Sequence, residues 1–427
     1  VLCWTSSAAT SSVCQPALVD FQKGFVCEIN NERDLQDIPP DVTDLDIKFA
    51  RDHSLVLRAG LLPALSELRV LKLDVSNAGQ QLPAGLFQQL SQLKSLSLYH
   101  VLPPTADFVL NLLPGAFVGL QRLASLHLVD MGLHTLPAGV FRGLTNLQML
   151  DVNKNSLNAV PDGAFKGLEG LTALSLARNR ISDLSQVSFH ELAKLASLSL
   201  YGNSIVDLAS NSFDGLSSLK ELNLEQNQMV SIQQDAFRGL SSLRKLYLEN
   251  NNLTTIQSGT FASLTQLQTV RLSYNQLNEV SFLTDMHSMQ HLHLDNNHIT
   301  SILPSALDNL RELRTIRLVA NHLESFPRKL LNDKSYLQEL DLSGNGVGSV
   351  DDSLFDDMDS LQYLFLANNN LASLPSFQSL VNLEEVDISG NPLRCDCDLY
   401  PLALWLSERP SLMVFSDSTN SMYSGQS

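Results

Sequence analysis

The sequence predicts an α/β solenoid in which a parallel, concave β-sheet lines one side, loops and short helical turns line the other, and caps close both ends. Three observations in the 427-residue chain support this fold: the motif L-x-x-L-x-L-x-x-N recurs at nearly constant spacing, phenylalanine recurs between successive motifs, and all five cysteines lie close to the two ends. We assign residues 1–41 to an N-terminal cap, 42–382 to about 14 repeats, mostly of 24 residues, and 383–427 to the last strand and a C-terminal cap.

The repeated motif defines the stack. Three segments of similar pattern carry Ser76, Val101 and Met131 where later repeats have asparagine, and VTDLDIKFA is a candidate first unit. A fixed period with this consensus is typical of leucine-rich repeats. The terminal asparagines are 24 or 22 residues apart, and they are Asn155, Asn179, Asn203, Asn227, Asn251, Asn275, Asn297, Asn321, Asn345, Asn369 and Asn391.

Each position of the motif has a physical role. Successive side chains of a strand point to opposite faces, so the leucines of L-x-L point inward and the residues between them point outward. The asparagine ends the strand, where its amide can hydrogen-bond backbone groups that the turn would leave unpaired. On the opposite, convex side we expect stacked aromatic rings to fill the core, and these are Phe87, Phe117, Phe141, Phe165, Phe189, Phe213, Phe237 and Phe261.

The cysteines occur only at the ends, as Cys3, Cys14 and Cys27 and as Cys395 and Cys397. This distribution favours an oxidising compartment, in which disulfides can stabilise ends that have little core. About fourteen strand steps of roughly 4.8 Å separate the two groups, which is too far for a bond between them. We favour a Cys14–Cys27 bridge that closes a small hairpin before the first strand, and Cys3 remains unassigned.

Composition excludes several classes of function. Lys and Arg number 28 against 45 Asp and Glu, a net charge of −17, which argues against a nucleic-acid partner. No run of 18 apolar residues occurs, so we expect no membrane contact by this segment, although an anchor can lie outside it. The sequence has no nucleophile elbow, phosphate-binding glycine loop or C-x-x-C cluster. We therefore predict a protein that is not an enzyme and that needs no cofactor or metal.

The segments LPAGVFRGLTNL, DIPPDVTDLDI and NPLRCDCDLYPLALWL resemble extracellular leucine-rich-repeat proteins, most closely Toll-like receptor ectodomains and the variable lymphocyte receptors of jawless vertebrates. The resemblance implies a horseshoe-shaped solenoid that is secreted or is the ectodomain of a membrane receptor. Trailing caps of this family carry C-x-C and two later cysteines, but this chain has Asn420 or Ser421 near the third position. The cap is thus expected to be incomplete: either the sequence stops inside it, or Cys395 and Cys397 are free or bonded to another chain.

The same resemblance implies a recognition receptor that binds a protein or microbial surface ligand in innate or adaptive-like immunity. The alternative is a secreted or cell-surface adhesion or matrix protein with the same repeats. Homodimer formation is left open.

The outward strand residues predict where a ligand binds. The run from Ala173 to Ser199 presents only alanine and serine, whereas later strands present tyrosine, arginine and histidine, which anchor protein interfaces more often. The predicted ligand-binding residues, with Tyr247, Arg271 and His293 at the centre, are Glu225, Tyr247, Glu249, Arg271, Tyr274, His291, His293 and Arg317.

Three further features have alternative interpretations. His291, His293 and Asp295 alternate on one strand face as metal ligands could, but Arg271 and Arg317 flank them and disfavour a dication, which leaves partner contact or plain solvated surface. Asn252 begins the sequon N-L-T and is a candidate glycosylation site. The insertion LPPTADFVLN is either part of a binding rim or tolerated surface variation.

Overall fold

In the computed structural model, the described residues are 13–16, 24–49, 57–76, 81–100, 109–185, 189–327, 329–351, 353–356, 358–394, 400–409 and 412–415. The chain forms two compact units, which comprise residues 1–204 with 214–219 and residues 205–213 with 220–427. Cys3, Cys395, Cys397, Asn420, Ser421 and most of the LPPTADFVLN insertion lie outside the described residues.

The first unit contains one sheet of nine strands and a second, two-stranded sheet. After an antiparallel first pair, neighbouring strands of the large sheet run parallel, each in register with the next repeat. The small sheet pairs Gln81–Leu82 with Asn111–Leu112. The strands of the large sheet are Cys14–Pro16, Gly24–Ile29, Asp44–Phe49, Val70–Asp74, Ser95–Tyr99, Ser125–His127, Met149–Asp151, Ala173–Ser175 and Ser197–Ser199.

The second unit repeats this plan with parallel strands only. A small sheet pairs Asp207–Leu208 with Ser231–Ile232. The strands of its large sheet, each paired with the next, are Glu221–Asn223, Lys245–Tyr247, Thr269–Arg271, His291–His293, Thr315–Arg317, Glu339–Asp341, Tyr363–Phe365, Glu385–Asp387 and Met413–Phe415.

Hydrogen-bonded turns, rather than regular helices, connect most strands. The helical segments of the described residues are two 3₁₀ helices, Glu32–Asp37 and Ser281–Asp285, and one α-helix, Tyr400–Ser407. Within the described part of the chain, no helix is long and apolar enough to span a bilayer. The predicted solenoid of parallel strands is confirmed, with turns in place of most of the helical segments.

The asparagines connect successive repeats. The Oδ1 of Asn321 accepts a hydrogen bond from the Ile299 N–H of the preceding repeat (3.1 Å), and its Nδ2 donates to the Leu294 oxygen of that repeat (3.0 Å). All eleven motif asparagines accept the equivalent bond. The predicted role of asparagine is therefore confirmed, and its partners lie mainly in the neighbouring repeat.

The phenylalanines form the predicted stack opposite the strands. Rings of successive repeats lie 5.7–6.3 Å apart at angles of 1–29° in the pairs that the structure describes. Sequence analysis missed the continuation: Phe282 meets Phe261 edge-on, and Phe377 packs edge-on against both Phe355 and Trp405. Phe282 and Phe355 lack the leucine of the F-x-x-L pattern that the eight predicted phenylalanines share, whereas Phe377 has it and could have been found from the sequence.

The N-terminal hairpin has the predicted disulfide. Cys14 and Cys27 are directly opposed in the antiparallel pair, their Cα atoms are 4.1 Å apart, and their sulfurs are bonded. The Gly24–Ile29 strand then pairs in parallel with Asp44–Phe49, the predicted first repeat strand. The bond thus holds the edge strand that covers the first repeat.

Candidate functional site

The strands from Glu221–Asn223 to Thr315–Arg317, together with the turns that follow them, carry the predicted ligand-binding residues. Parallel pairing places Tyr247, Arg271, His293 and Arg317 in one row across the sheet. The aliphatic residue before each of them is buried, so all four side chains leave the same outer face. We call this outer side of the strands the strand face.

Arg271 is held between an aromatic ring and a carboxylate. Its guanidinium lies 5.4 Å from the centre of the Tyr247 ring, a cation–π distance, and its Nη1 lies 3.6 Å from Glu249 Oε1. Burial, with the nearby Glu225 carboxylate, raises the pKa of Glu249, and Arg271 opposes this shift. Arg271 therefore compensates the negative charge of the partly buried Glu249. About half of the Arg271 side chain stays exposed to solvent.

The two histidines are held in the neutral form. Burial, and then the positive charges of Arg271 and Arg317, lower the pKa of His293 to about 4, although Asp295 opposes them. Burial and the Arg314 charge lower the pKa of His291, whose Nδ1 lies 3.1 Å from Thr315 Oγ1. Neutral imidazoles can both donate and accept hydrogen bonds, so this part of the strand face offers polar contacts without positive charge.

Arg317 is committed to internal contacts. Its Nε lies 3.2 Å from Asp295 Oδ2, its Nη1 lies 3.0 Å from Glu339 Oε1 and its Nη2 lies 3.5 Å from Asp341 Oδ2. The other Asp295 oxygen accepts the Val319 N–H at 2.9 Å. Three carboxylates from the two repeats on either side thus fix this guanidinium, so its role at the strand face is to position them.

The remaining predicted residues, Tyr274 and Glu225, lie just beyond the ends of their strands, where the chain turns away from the sheet. Tyr274 occupies a left-handed turn position (φ 59°) and is 57% exposed, the most accessible aromatic ring of the predicted set. Glu225 is partly exposed, with Oε1 3.5 Å from Asn250 Nδ2. Asn252, the predicted glycosylation site, is exposed in the segment that follows the Lys245–Tyr247 strand. Within the described residues, no three His, Cys, Asp or Glu side chains form a metal-binding group.

A recess that was not predicted from the sequence lies beside the strand face. A shallow cavity of about 730 Å³ is lined by Gly344, Gly346 and Gly348, with His322 on one side and Asn370 on the other. The ring of His322 stacks on that of His298 at 5.5 Å, and Gly346 follows in the same column without a side chain. The glycine pattern G-N-G-V-G and the alignment of Gly346 with His298 and His322, each directly after a motif asparagine, are visible in the sequence, but the stacking of the rings and the recess are not.

The family model "Leucine rich repeat" matches residues 121–181, 169–229, 226–277 and 335–393, and the model "Leucine Rich repeats (2 copies)" matches residues 265–309. The chain belongs to the leucine-rich-repeat family. No curated protein sequence matches it.

Solved structures of leucine-rich-repeat proteins share its fold. A leucine-rich-repeat protein of Leptospira interrogans aligns with a TM-score of 0.68 at 23% identity, over 91% of this chain and 99% of that one. Toll in the Drosophila Toll–Spatzle complex aligns at 0.63 and 18% identity, over 94% and 70%. The TLR13–ssRNA13 complex aligns at 0.60 and 22% identity, over 90% and 62%. These neighbours show the leucine-rich-repeat fold and include Toll and a Toll-like receptor.

Proposed function

We propose that this leucine-rich-repeat protein is an extracellular recognition receptor of the innate immune system that binds a protein or microbial surface ligand. The row formed by Tyr247, Arg271, His293 and Arg317 carries the proposal. A stack of repeats presents an extended, rigid surface, and this family commonly uses that surface for binding. Large side chains anchored by their neighbours lose little conformational freedom when they bind a ligand.

Two observations support the location, and two others support the class of ligand. The Cys14–Cys27 bond fits an oxidising compartment, and the exposed Asn252 sequon fits a secreted or surface protein. The net charge of −17 favours a protein or microbial surface over a nucleic acid. The likeness in fold to Toll, which is seen in complex with Spatzle, supports a protein ligand.

The ligand contacts are proposed to centre on Tyr247, Arg271, His293 and the exposed Tyr274. Glu249 holds Arg271 at this surface, and Arg317 positions the carboxylates beside it. Because removal of Arg271 alone would leave Glu249 uncompensated, a clean test replaces both charges together.

The test begins with a screen of the purified chain against secreted proteins and bacterial cell-wall preparations, followed by affinity measurement for each binder. The variant Tyr247→Ala/Arg271→Gln/Glu249→Gln should weaken a genuine ligand by more than about tenfold, because it removes an anchor and its support. Its melting temperature should stay close to that of the wild type, since both charges of the Arg271–Glu249 pair are replaced together and neither is left uncompensated.

The matched control is Arg238→Ala, an exposed arginine in a turn of the same unit. Its affinity should equal that of the wild type. If every binder kept its affinity for the triple variant, ligand binding through this row would be refuted.

A further inference from the structure

Carboxylates and aromatic rings alternate on the strand face beyond Arg317. In the second unit, two adjacent rows run across three successive strands, and in each row an aromatic residue lies between two acidic ones. We call this the acidic–aromatic surface, and its residues are Glu339, Asp341, Tyr363, Phe365, Glu385 and Asp387.

The aromatic rings are accessible. Tyr363 and Phe365 are both partly exposed, whereas Leu364 between them is buried in the core. The Tyr363 hydroxyl bonds Glu384 Oε2 at 3.3 Å, which fixes the ring beside a further exposed carboxylate. An aromatic face flanked by negative charge attracts cations through its quadrupole as well as through the flanking charges.

One edge of the surface already holds a guanidinium. Glu339 and Asp341, the two outward carboxylates of one strand, bind Arg317 at 3.0 and 3.5 Å, so two carboxylates at alternate positions of a strand suit an arginine side chain. Arg317 comes from the neighbouring repeat and occupies only this edge.

The opposite edge has the same chemistry without an internal cation. Among the described residues, Glu384, Glu385 and Asp387 form no ion pair, although the oxygen Asp387 Oδ1 accepts bonds from the Ser389 N–H and hydroxyl. Adjacent strands are about 4.8 Å apart, so the acidic strands Glu339–Asp341 and Glu385–Asp387 are roughly 10 Å apart, with the aromatic strand Tyr363–Phe365 between them. A cation above Phe365 would therefore lie near the carboxylates of both acidic strands.

We propose that the acidic–aromatic surface docks a basic segment of a protein partner. An arginine or lysine of that segment lies over Phe365, between the carboxylates of the Glu339–Asp341 strand and those of the Glu385–Asp387 strand. The partner's positive charge complements a face that carries unpaired carboxylates in a chain of net charge −17. The flat guanidinium of arginine suits both the ring and the carboxylates, which makes arginine the better fit. Arg317 of the proposed ligand-binding row contacts this surface through Glu339 and Asp341. The proposal is nevertheless separate from the receptor function, because the residues that its test changes, Phe365, Glu385 and Asp387, lie outside the Tyr247–Arg271–His293–Arg317 row.

The experiment uses the full chain and a fluorescein-labelled octapeptide of alternating arginine and serine, with binding followed by fluorescence anisotropy. At about 0.15 M salt the screening length is about 8 Å, so only charges near the bound peptide contribute strongly. The variant Glu385→Gln/Asp387→Asn should weaken binding by about tenfold or more, and Phe365→Leu, which keeps an apolar side chain, by about three- to fivefold.

The control Asp235→Asn/Glu279→Gln removes the same charge from exposed positions elsewhere in the unit. It should change the affinity less than about twofold. Equal weakening by both charge variants would mean diffuse attraction to an acidic protein and would overturn the proposal. An unchanged affinity of the Phe365→Leu variant, or no saturable binding to the wild type, would overturn it as well. Thermal melting of each variant verifies that it is folded.

Discussion

Lys334 occupies a core position in one repeat of the second unit. Eleven residues before the motif asparagine, the neighbouring repeats carry Leu310 and Met358, but this repeat carries a lysine that is only 2% exposed. Its ammonium donates one hydrogen bond to the Asn332 carbonyl oxygen at 2.8 Å. Burial lowers the pKa of Lys334, with Asp333 and Asp308 opposing the shift. The folded state therefore binds this proton less tightly than the unfolded chain does.

We expect Lys334→Met to raise the free energy of unfolding by about 1–3 kcal/mol at neutral pH, because it replaces a buried cation with an apolar side chain of similar length. Since the folded pKa lies below the unfolded value of 10.5, wild-type stability should rise as pH increases through the folded pKa towards that value. The variant should lose this rise. Urea unfolding of the two proteins at several pH values between neutral and alkaline measures both effects.

Lys329→Met is the control, because Lys329 is an exposed lysine in the same turn. Its stability should match that of the wild type within about 0.5 kcal/mol. A loss of stability in Lys334→Met would show that the bond to Asn332 outweighs the burial of the charge.

At the scale of the element, the asparagine at the end of each strand joins two repeats. Asn275 accepts the Leu253 N–H of the preceding repeat at 3.1 Å and donates to the Leu248 oxygen of that repeat at 2.9 Å. A third bond, to the Leu272 oxygen, closes its own turn at 3.0 Å. Because Asn275 is buried, water cannot replace these bonds if its amide is removed.

Asn275→Ala should therefore lower the free energy of unfolding by about 2–5 kcal/mol, since buried backbone groups of two repeats lose their partners. Chemical denaturation measures the loss. Gln276→Ala changes the adjacent exposed side chain and should cost less than about 0.5 kcal/mol. Similar losses in both variants would contradict the role of the amide as the link between repeats.

At the scale of the whole molecule, stability is the sum of contacts between adjacent repeats, and an end repeat has a neighbour on one side only. The Cys14–Cys27 hairpin supplies the missing neighbour of the first repeat strand in the first unit. Its bond joins residues 13 apart in sequence, a loop whose closure is worth about 3 kcal/mol in the chain-entropy account.

Replacement of both cysteines by serine should therefore reduce amide-exchange protection in Gly24–Ile29 and Asp44–Phe49, which lie next to the bond. Protection in Ser197–Ser199, several repeats away in the same unit, should change little because each repeat contacts only its neighbours. Hydrogen exchange read by mass spectrometry resolves these peptides. An equal loss in both regions would show that the first unit unfolds as a single cooperative body.

The sequence by itself determined the architecture, because the repeat period and the strand alternation are local properties. They place Leu246 and Leu292 in the core, Tyr247 and His293 on the strand face, and Asn275 at the turn, and the structure shows all five there. The sequence also favoured a Cys14–Cys27 bridge among the three cysteines near one end, and the structure shows the two residues opposed and bonded.

Only the tertiary structure decided which outward side chains act together. Arg317 meets three carboxylates from two other repeats, and His293 is neutral, although neither fact follows from neighbours in sequence. The physical reason is that partners 22 or 24 residues apart meet only when repeats stack in register. Pairing distance, burial and therefore charge state are properties of that stack, whereas the inward or outward direction of a side chain is set by its own strand.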